Sequence, residues 1–372
     1  MAAGPSWVDR VSRVLSTSLS ELNPFRGEEP YIAVDIGSST IKLVEVLGKR
    51  NEVRVEALAV VPTPSTAVQN NMVVEIEPVA ELVRAACSEH GFRAKKAITA
   101  VPGPAVIIKR FPMMVHGEKE LEAAVLAEAG NFIPEDLENV NLDYQVTQFG
   151  GEGQPAQVLV VAAKKEIVSS YSETLRGAGL LPVVVDVDYF ALGNMFELNY
   201  EPAMGRTIAL VNIGARYSAI SIVKDSESAF THDVAVGGRD ITESLAQDLG
   251  ISFEEAEAIK TGRSFDHDLA EHAAAVMEAA TAAVVDEIHH ALTFFWMGSG
   301  EETIDQVYLS GGAARVAGMA EQLAERMGVP VELATPFARM ALGANVDRQL
   351  ALQRAPEFAV AVGLAMRRPN DK

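Results

Sequence analysis

The sequence predicts an α/β protein built as two related lobes around a cleft, and three observations predict it. Ala33-Val-Asp-Ile-Gly-Ser-Ser39 recurs as Leu210-Val-Asn-Ile-Gly-Ala-Arg216, about half a chain further on. Each copy ends a β-rich run, turns at a glycine and enters another β-rich run, which marks a duplicated unit and not a short-period solenoid. Elsewhere, apolar runs of strand length alternate with segments of helical periodicity, the pattern of an α/β fold.

Taken in order, residues 31–36 and 41–46 flank the turn Gly37-Ser38-Ser39-Thr40 and read as a hairpin, with 51–61 continuing the β-rich sequence. A helix over 78–90 and a strand over 97–101, stopped by Pro102-Gly103-Pro104, complete a first unit. Residues 105–163 then read as strand, helix, strand, strand, with a glycine-rich loop at 150–153: a small α+β insertion. A helix over 166–177, a strand over 182–187 and a helix over 189–199 lead across to the second half. There the second hairpin is followed by a helix opened by Gly237-Gly238, an acidic helix over 253–260 and a long helix to about residue 295. A strand over 306–309, the turn Ser310-Gly311-Gly312-Ala313 and a helix over 315–327 come next. The predicted division is 1–29 leader; 30–104, 164–199 and 355–372 first lobe; 105–163 insertion; 200–354 second lobe.

With 372 residues, 48% of them hydrophobic, the chain is long enough for two or three buried cores. A net charge of −20, spread along the chain, disfavours nucleic acid as a partner. Cys87, the one cysteine, lies in an apolar-periodic run and reads as a buried thiol, so a reducing compartment is expected. No run reaches the length of a membrane span, since 273–297 contains Glu278, Asp286 and Glu287. In the leader, Asp9, Arg10 and Arg13 interrupt any signal-peptide core, while Trp7, Val8, Val11, Leu15, Leu19 and Leu22 fall near helical spacing. That stripe is either a surface for lipid or a partner, or a disordered lead-in. His289 and His290, adjacent on a helix, and His267 and His272, without a third ligand, do not read as a metal site.

The candidate chemistry lies in the glycine turns. At Gly37 a phosphate can approach the backbone, Ser38, Ser39 and Thr40 offer N–H and hydroxyl donors, Lys42 adds charge, and Asp35 stands where a hydrated Mg²⁺ would sit. Any tight hairpin suits the same string. A second tip, Asn212 with Gly214, Ala215 and Arg216, adds an opposing grip. Ser310, Gly311, Gly312 and Ala313 form a flat turn for a base or ribose next to a helix start. Glu257 and Lys260, three apart on one helix, either hold ribose hydroxyls or pair with each other.

All four elements in this order resemble the actin, sugar kinase and heat-shock chaperone ATPase superfamily, over residues of about 31–366. The resemblance implies a fold of two homologous lobes around a cleft for ATP or ADP with Mg²⁺, with 35–42 and 212–216 as phosphate loops and 310–313 as the adenosine motif. Residues 186–188 and 358–365 resemble its connecting segments. The insertion after Pro104 resembles the relocated subdomain of FtsA and of PilM. Together with the Ala100-Val-Pro-Gly-Pro104, Asn131-Phe-Ile-Pro134 and Val187-Asp-Tyr-Phe-Ala-Leu192 segments, it is similar to the PilM family, the actin-like component of type IV pilus assembly. This implies a cytoplasmic ATP-binding scaffold at the inner membrane that captures the N-terminal tail of PilN beside the inserted subdomain. On the insertion helix, Leu121, Val125 and Phe132 are the expected groove residues, although they suit packing on the subdomain's own sheet equally. Asn212 stands where catalytic relatives carry aspartate, so slow or absent hydrolysis is expected. A small-molecule kinase using Asp186 or Asp188 as base, and an FtsA-like filament, are the alternatives.

Overall fold

The computed structural model describes residues 30–48, 53–114, 118–148, 154–201, 204–225, 227–263, 270–298, 303–369 and 371. The leader 1–29 and the 150–153 loop lie outside the described residues. In chain order the elements are strands β1 (Tyr31–Ile36), β2 (Thr40–Leu47), β3 (Arg54–Pro62), β4 (Val68–Gln69) and β5 (Met72–Val73), helix α1 (Ile76–Glu89) and β6 (Lys96–Val101). Next come β7 (Val106–Met113), α2 (Glu118–Phe132), β8 (Val140–Gln148), β9 (Ala156–Lys164), α3 (Lys165–Gly177), β10 (Leu181–Val187) and α4 (Asp188–Asn199). The second half holds β11 (Thr207–Ile213), β12 (Ser218–Lys224), β13 (Glu227–Val234), α5 (Gly238–Leu249), α6 (Phe253–Lys260), α7 (Ala270–Gly298) and β14 (Gln306–Ser310). It ends with α8 (Met319–Met327), β15 (Val331–Leu333), β16 (Ala341–Leu342), α9 (Arg348–Gln353) and α10 (Ala359–Ala365).

Two main sheets carry the lobes, ordered β10-β6-β1-β2-β3-β16 and β13-β12-β11-β14-β15. Read from β3 and from β13, the first five strands of each sheet coincide in order and sense. Two antiparallel pairings are followed by two parallel ones. The short internal echo is therefore the visible trace of a whole duplicated sheet. The inserted segment forms its own three-stranded antiparallel sheet, β7-β9-β8.

Alternation along the strands explains the cores. Ile32, Val34, Leu43 and Ala59 face α1 and α3 on one side of the first sheet. Ala33, Val44 and Ile98 face α4 and α10 on the other, and that second cluster continues into Ile208 and Leu210 of the second lobe. One apolar body thus runs beneath both lobes, and all of α10 lies buried in it.

In its fold the structure differs from the sequence reading at the following points. Strand β16 pairs with Arg54 and Val55 of the first sheet, so the chain has returned to the first lobe before residue 355. The helix expected from Arg315 starts at Met319, because Gly318 takes a positive φ of 83° and breaks it. Leu121 and Val125 are 6% and 0% exposed and pack on Val158 and Val160 of β9. They hold α2 to its own sheet and are not themselves open to a partner; Phe132, half-buried in the same cluster and under Lys109, packs against that core as well.

Candidate functional site

The two hairpin tips are built alike. Ile36 pairs with Ile41 and Ile213 with Ser218, so four residues form each tip. Gly37 N–H donates to Thr40 O at 3.1 Å, and Gly214 N–H to Tyr217 O at 3.0 Å. A Cβ at either glycine would lie 2.9 Å from that same carbonyl, which is why glycine stands there. The tip carbonyls are tied back into their own lobes. Gly37 O and Ser39 O accept from Thr63, at 2.8 Å and 2.9 Å, while Gly214 O and Ala215 O accept from the N–H groups of Gly238 and Arg239, at 2.9 Å and 2.8 Å. Among the described residues no protein acceptor meets the N–H groups of Ser38, Ser39, Ala215 or Arg216. Two donor-rich tips with their carbonyls withdrawn suit an anion.

Both tips line one cleft of about 1090 Å³, together with Asp35, Thr40, Lys42, Asn212, Glu257, Lys260, Gly311, Gly312 and Ala313. Open α/β sheets place ligands at the carboxyl ends of parallel strands, and the cleft lies at those ends of β1 and β6 and of β11 and β14. Lys42 pairs with Asp35 at 3.2 Å. Ser310 does not line the cleft; it is buried, and its hydroxyl donates to Asn212 Oδ1 at 3.2 Å. Gly311, at φ 88°, lies so close to the second tip's strand that a Cβ would come within 2.3 Å of Ile213 O. The turn runs into three residues of tighter helix, Ala313–Arg315, and offers no long helix start to a ligand.

Glu257 and Lys260 do pair, at 2.7 Å, but within a wider knot. Lys260 Nζ also donates to Gly238 O and Thr242 Oγ1, both at 2.8 Å, so all three of its protons are engaged. Burial pulls its pKa down against the opposing pull of Glu257. Glu257 Oε2 accepts from both Thr242 and Lys260, and its other oxygen has no partner within the knot.

Several cleft residues were not singled out from the sequence. Arg315 and Arg354 converge on the buried Glu357, Arg354 through two bonds of 2.9 Å and 2.6 Å and Arg315 through one of 2.8 Å. Burial raises that carboxyl, but the two arginines, together with the charge of Lys42, outweigh it and hold its pKa below the usual range. Gly237 and Gly238 pass beneath the second tip, where a Cβ at Gly237 would lie 2.6 Å from Gly214 O. The adjacent Gly-Gly was the one available signal for them. Asp186 is bound to Arg367 at 3.0 Å, outside the cleft. Asp188 lines the cleft and accepts a 2.6 Å bond from Tyr217 of the opposite lobe.

Burial pushes the Asp188 carboxyl up to about 7 from 3.8, opposed by the Tyr217 bond and assisted by Asp233. The unfolded chain loses this proton near 3.8 and the folded chain near 7. The folded state therefore binds more protons between those values, and stability falls as pH rises through that window, levelling above it. Asp188→Asn, which removes the titration and keeps an oxygen for Tyr217, should abolish this group's share of the fall, on the order of 4 kcal/mol, read from urea midpoints across the window.

Comparison with known proteins accords with this geometry. The family profile described as "Type IV pilus assembly protein PilM" matches residues 33–369. The chain is 23% identical over 256 residues to cell division protein FtsA of Bacillus subtilis, and 21% identical over 350 residues to FtsA of Streptococcus pneumoniae. These matches take in 62% and 82% of the chain but only 57% and 75% of the respective relatives. Among solved structures, a PilM-PilN type IV pilus biogenesis complex superposes with a TM-score of 0.79 at 30% identity, covering 92% of this chain and 98% of that one. Ethanolamine utilization protein EutJ of Carboxydothermus hydrogenoformans, at 18% identity and a TM-score of 0.57, shares the fold over 92% of this chain and 91% of its own. With its duplicated sheets, facing tips and inserted subdomain, the chain has the actin-like ATPase fold and belongs to the type IV pilus assembly protein PilM family.

Proposed function

We propose that this chain is an ATP-binding scaffold of the type IV pilus assembly platform, gripping the N-terminal cytoplasmic tail of PilN with a strength set by lobe closure. The observation that carries this reading is the pair of like-built glycine tips with free N–H groups in one interlobe cleft. In a chain of net charge −20, the same cleft gathers Lys42, Arg216, Lys260, Arg263, Arg315 and Arg354, a local excess of cations suited to a polyphosphate. Among the described residues no three metal-ligating side chains converge. Mg²⁺ keeps much of its own water and would be held by the phosphates with Asp35.

Closure has a route to the inserted subdomain. Arg110 of β7 donates to Ser228 O of β13 at 2.6 Å, so the insertion is tied to the second lobe as well as rooted in the first. A tail lying beside the insertion would feel the lobes move. Turnover should be slow, because Asn212 has no carboxylate and its oxygen already meets Ser310. Among the described residues no helix is long and apolar enough to cross a membrane, and placement at the inner membrane would come through PilN.

MgATP should raise the melting temperature by several degrees and tighten binding of a synthetic PilN-tail peptide about tenfold. Equal peptide affinity with and without nucleotide would defeat the coupling. Absence of a thermal shift with any nucleotide would defeat the ATP reading itself.

A further inference from the structure

We infer that Arg216 makes the cleft select a nucleoside triphosphate over a diphosphate, an inference that rests on the nucleotide reading above. Most cations of the cleft have a carboxylate partner: Lys42 has Asp35, Lys260 has Glu257, and Arg315 and Arg354 share Glu357. Two have none among the described residues. Arg263 is exposed and donates to Thr261 at 2.8 Å. Arg216 is half-buried, and its guanidinium reaches across the cleft to two neutral carbonyls of the first lobe, Val68 O at 3.0 Å and Ser65 O at 3.2 Å.

The duplicated hairpins sharpen the contrast. Arg216 occupies in the second tip the position that Ser39 occupies in the first. Both positions supply a backbone N–H, enough for the pyrophosphate that ATP and ADP share. Only the second adds a fixed charge, and it extends that charge past the tip towards the 65–68 loop following Thr63, the residue that ties down the first tip. The groups expected around adenosine, Glu257, Gly311, Gly312 and Ala313, all belong to the second lobe, so a group bridging to the first lobe faces the phosphate tail. A guanidinium held by two neutral carbonyls exchanges them readily for phosphate oxygens, because its fork matches two such oxygens and charge-assisted bonds are the stronger kind. When it does so, it releases the loop and the β4–β5 hairpin from the opposite lobe.

The test is calorimetry of the full chain with MgATP and MgADP, on the wild type, Arg216→Ala, Arg216→Lys and Arg216→Gln. Wild type should prefer ATP by about tenfold or more. Arg216→Ala should bring ATP close to the ADP level, lowering ATP far more than ADP, and lysine, lacking the fork, should restore only part of the preference. Glutamine keeps a polar side chain, ending short of the guanidinium nitrogens, while removing the charge and the fork, so it should behave like alanine in selectivity. Hydrogen exchange over 65–74 should rise in wild type on adding MgATP but not MgADP. Equal loss for both nucleotides, or wild-type preference retained in Arg216→Gln, overturns the inference and leaves nucleotide binding standing. If the wild type binds neither nucleotide, the ATP reading itself is overturned.

Discussion

Gly363→Ala should lower the stability of the chain by about 3 kcal/mol or more, the upper end for overpacking, and its melting temperature by about 5–10 °C. Helix α10 crosses α4 at this residue so closely that a Cβ on Gly363 would lie 1.7 Å from Ala191 O and 2.5 Å from its carbonyl carbon. Backbone atoms are in the way, so no rotamer change relieves the clash, and the helices must separate. They have little room to do so. Every residue of α10 is buried, and the cluster around the crossing takes in Leu192, Met195 and Phe358 along with Ile208 and Leu210 of the second lobe. Gly193→Ala on the same α4 is the matched control, because a Cβ there meets nothing within 4 Å. Alanine is the better helix former by about 0.8–1 kcal/mol, so that variant should be as stable as wild type or slightly more. Urea unfolding of the two variants side by side separates helix propensity from the crossing.

Why the crossing was invisible beforehand shows where sequence reading stops. Gly363 was legible as part of a resemblance to a connecting segment, yet no pattern in Phe358-Ala-Val-Ala-Val-Gly-Leu-Ala365 says which residue touches α4. Local signals were readable: the Gly37 and Gly214 turns, the helical spacing of α1, and the insertion as strand, helix, strand, strand. Contacts between distant segments were not. Leu121 and Val125 have the same spacing whether they face a peptide or their own sheet, and the sheet takes them. Glu257 and Lys260 read either as ribose ligands or as a pair with each other, and the wider knot was not legible, because Thr242 and Gly238 reach them only after α5 and α6 pack. The β4–β5 hairpin did leave a trace in Asn70-Asn71, which take φ of 49° and 64° and are the residue type that tolerates such a turn. Arg216 was legible as part of the second phosphate tip, but not its reach to Ser65 and Val68.

The largest effect on ligand binding is expected from Gly311→Ala. The residue sits at φ 88°, where alanine is strained by about 1–2 kcal/mol, and its Cβ would lie 2.3 Å from Ile213 O and 2.9 Å from Asn212 Oδ1. Relief requires the end of β14 to move away from the end of β11, although Gly311 N–H is also held by Pro356 O at 2.8 Å. Those two strand ends carry the turn expected against adenosine and the tip expected on the phosphates, so spreading them spoils both at once. Nucleotide affinity should fall about 100-fold or more, with a loss of a few degrees in the melting temperature of the free chain. Gly312→Ala separates the two consequences, since its Cβ meets nothing within 4 Å and its φ of −65° is ordinary. The free chain should melt as wild type does, so any loss of ATP affinity there reports a ligand lying directly on the glycine. If Gly311→Ala melted normally and bound ATP as tightly as wild type, the close approach of the third turn to the second tip would have no part in holding nucleotide.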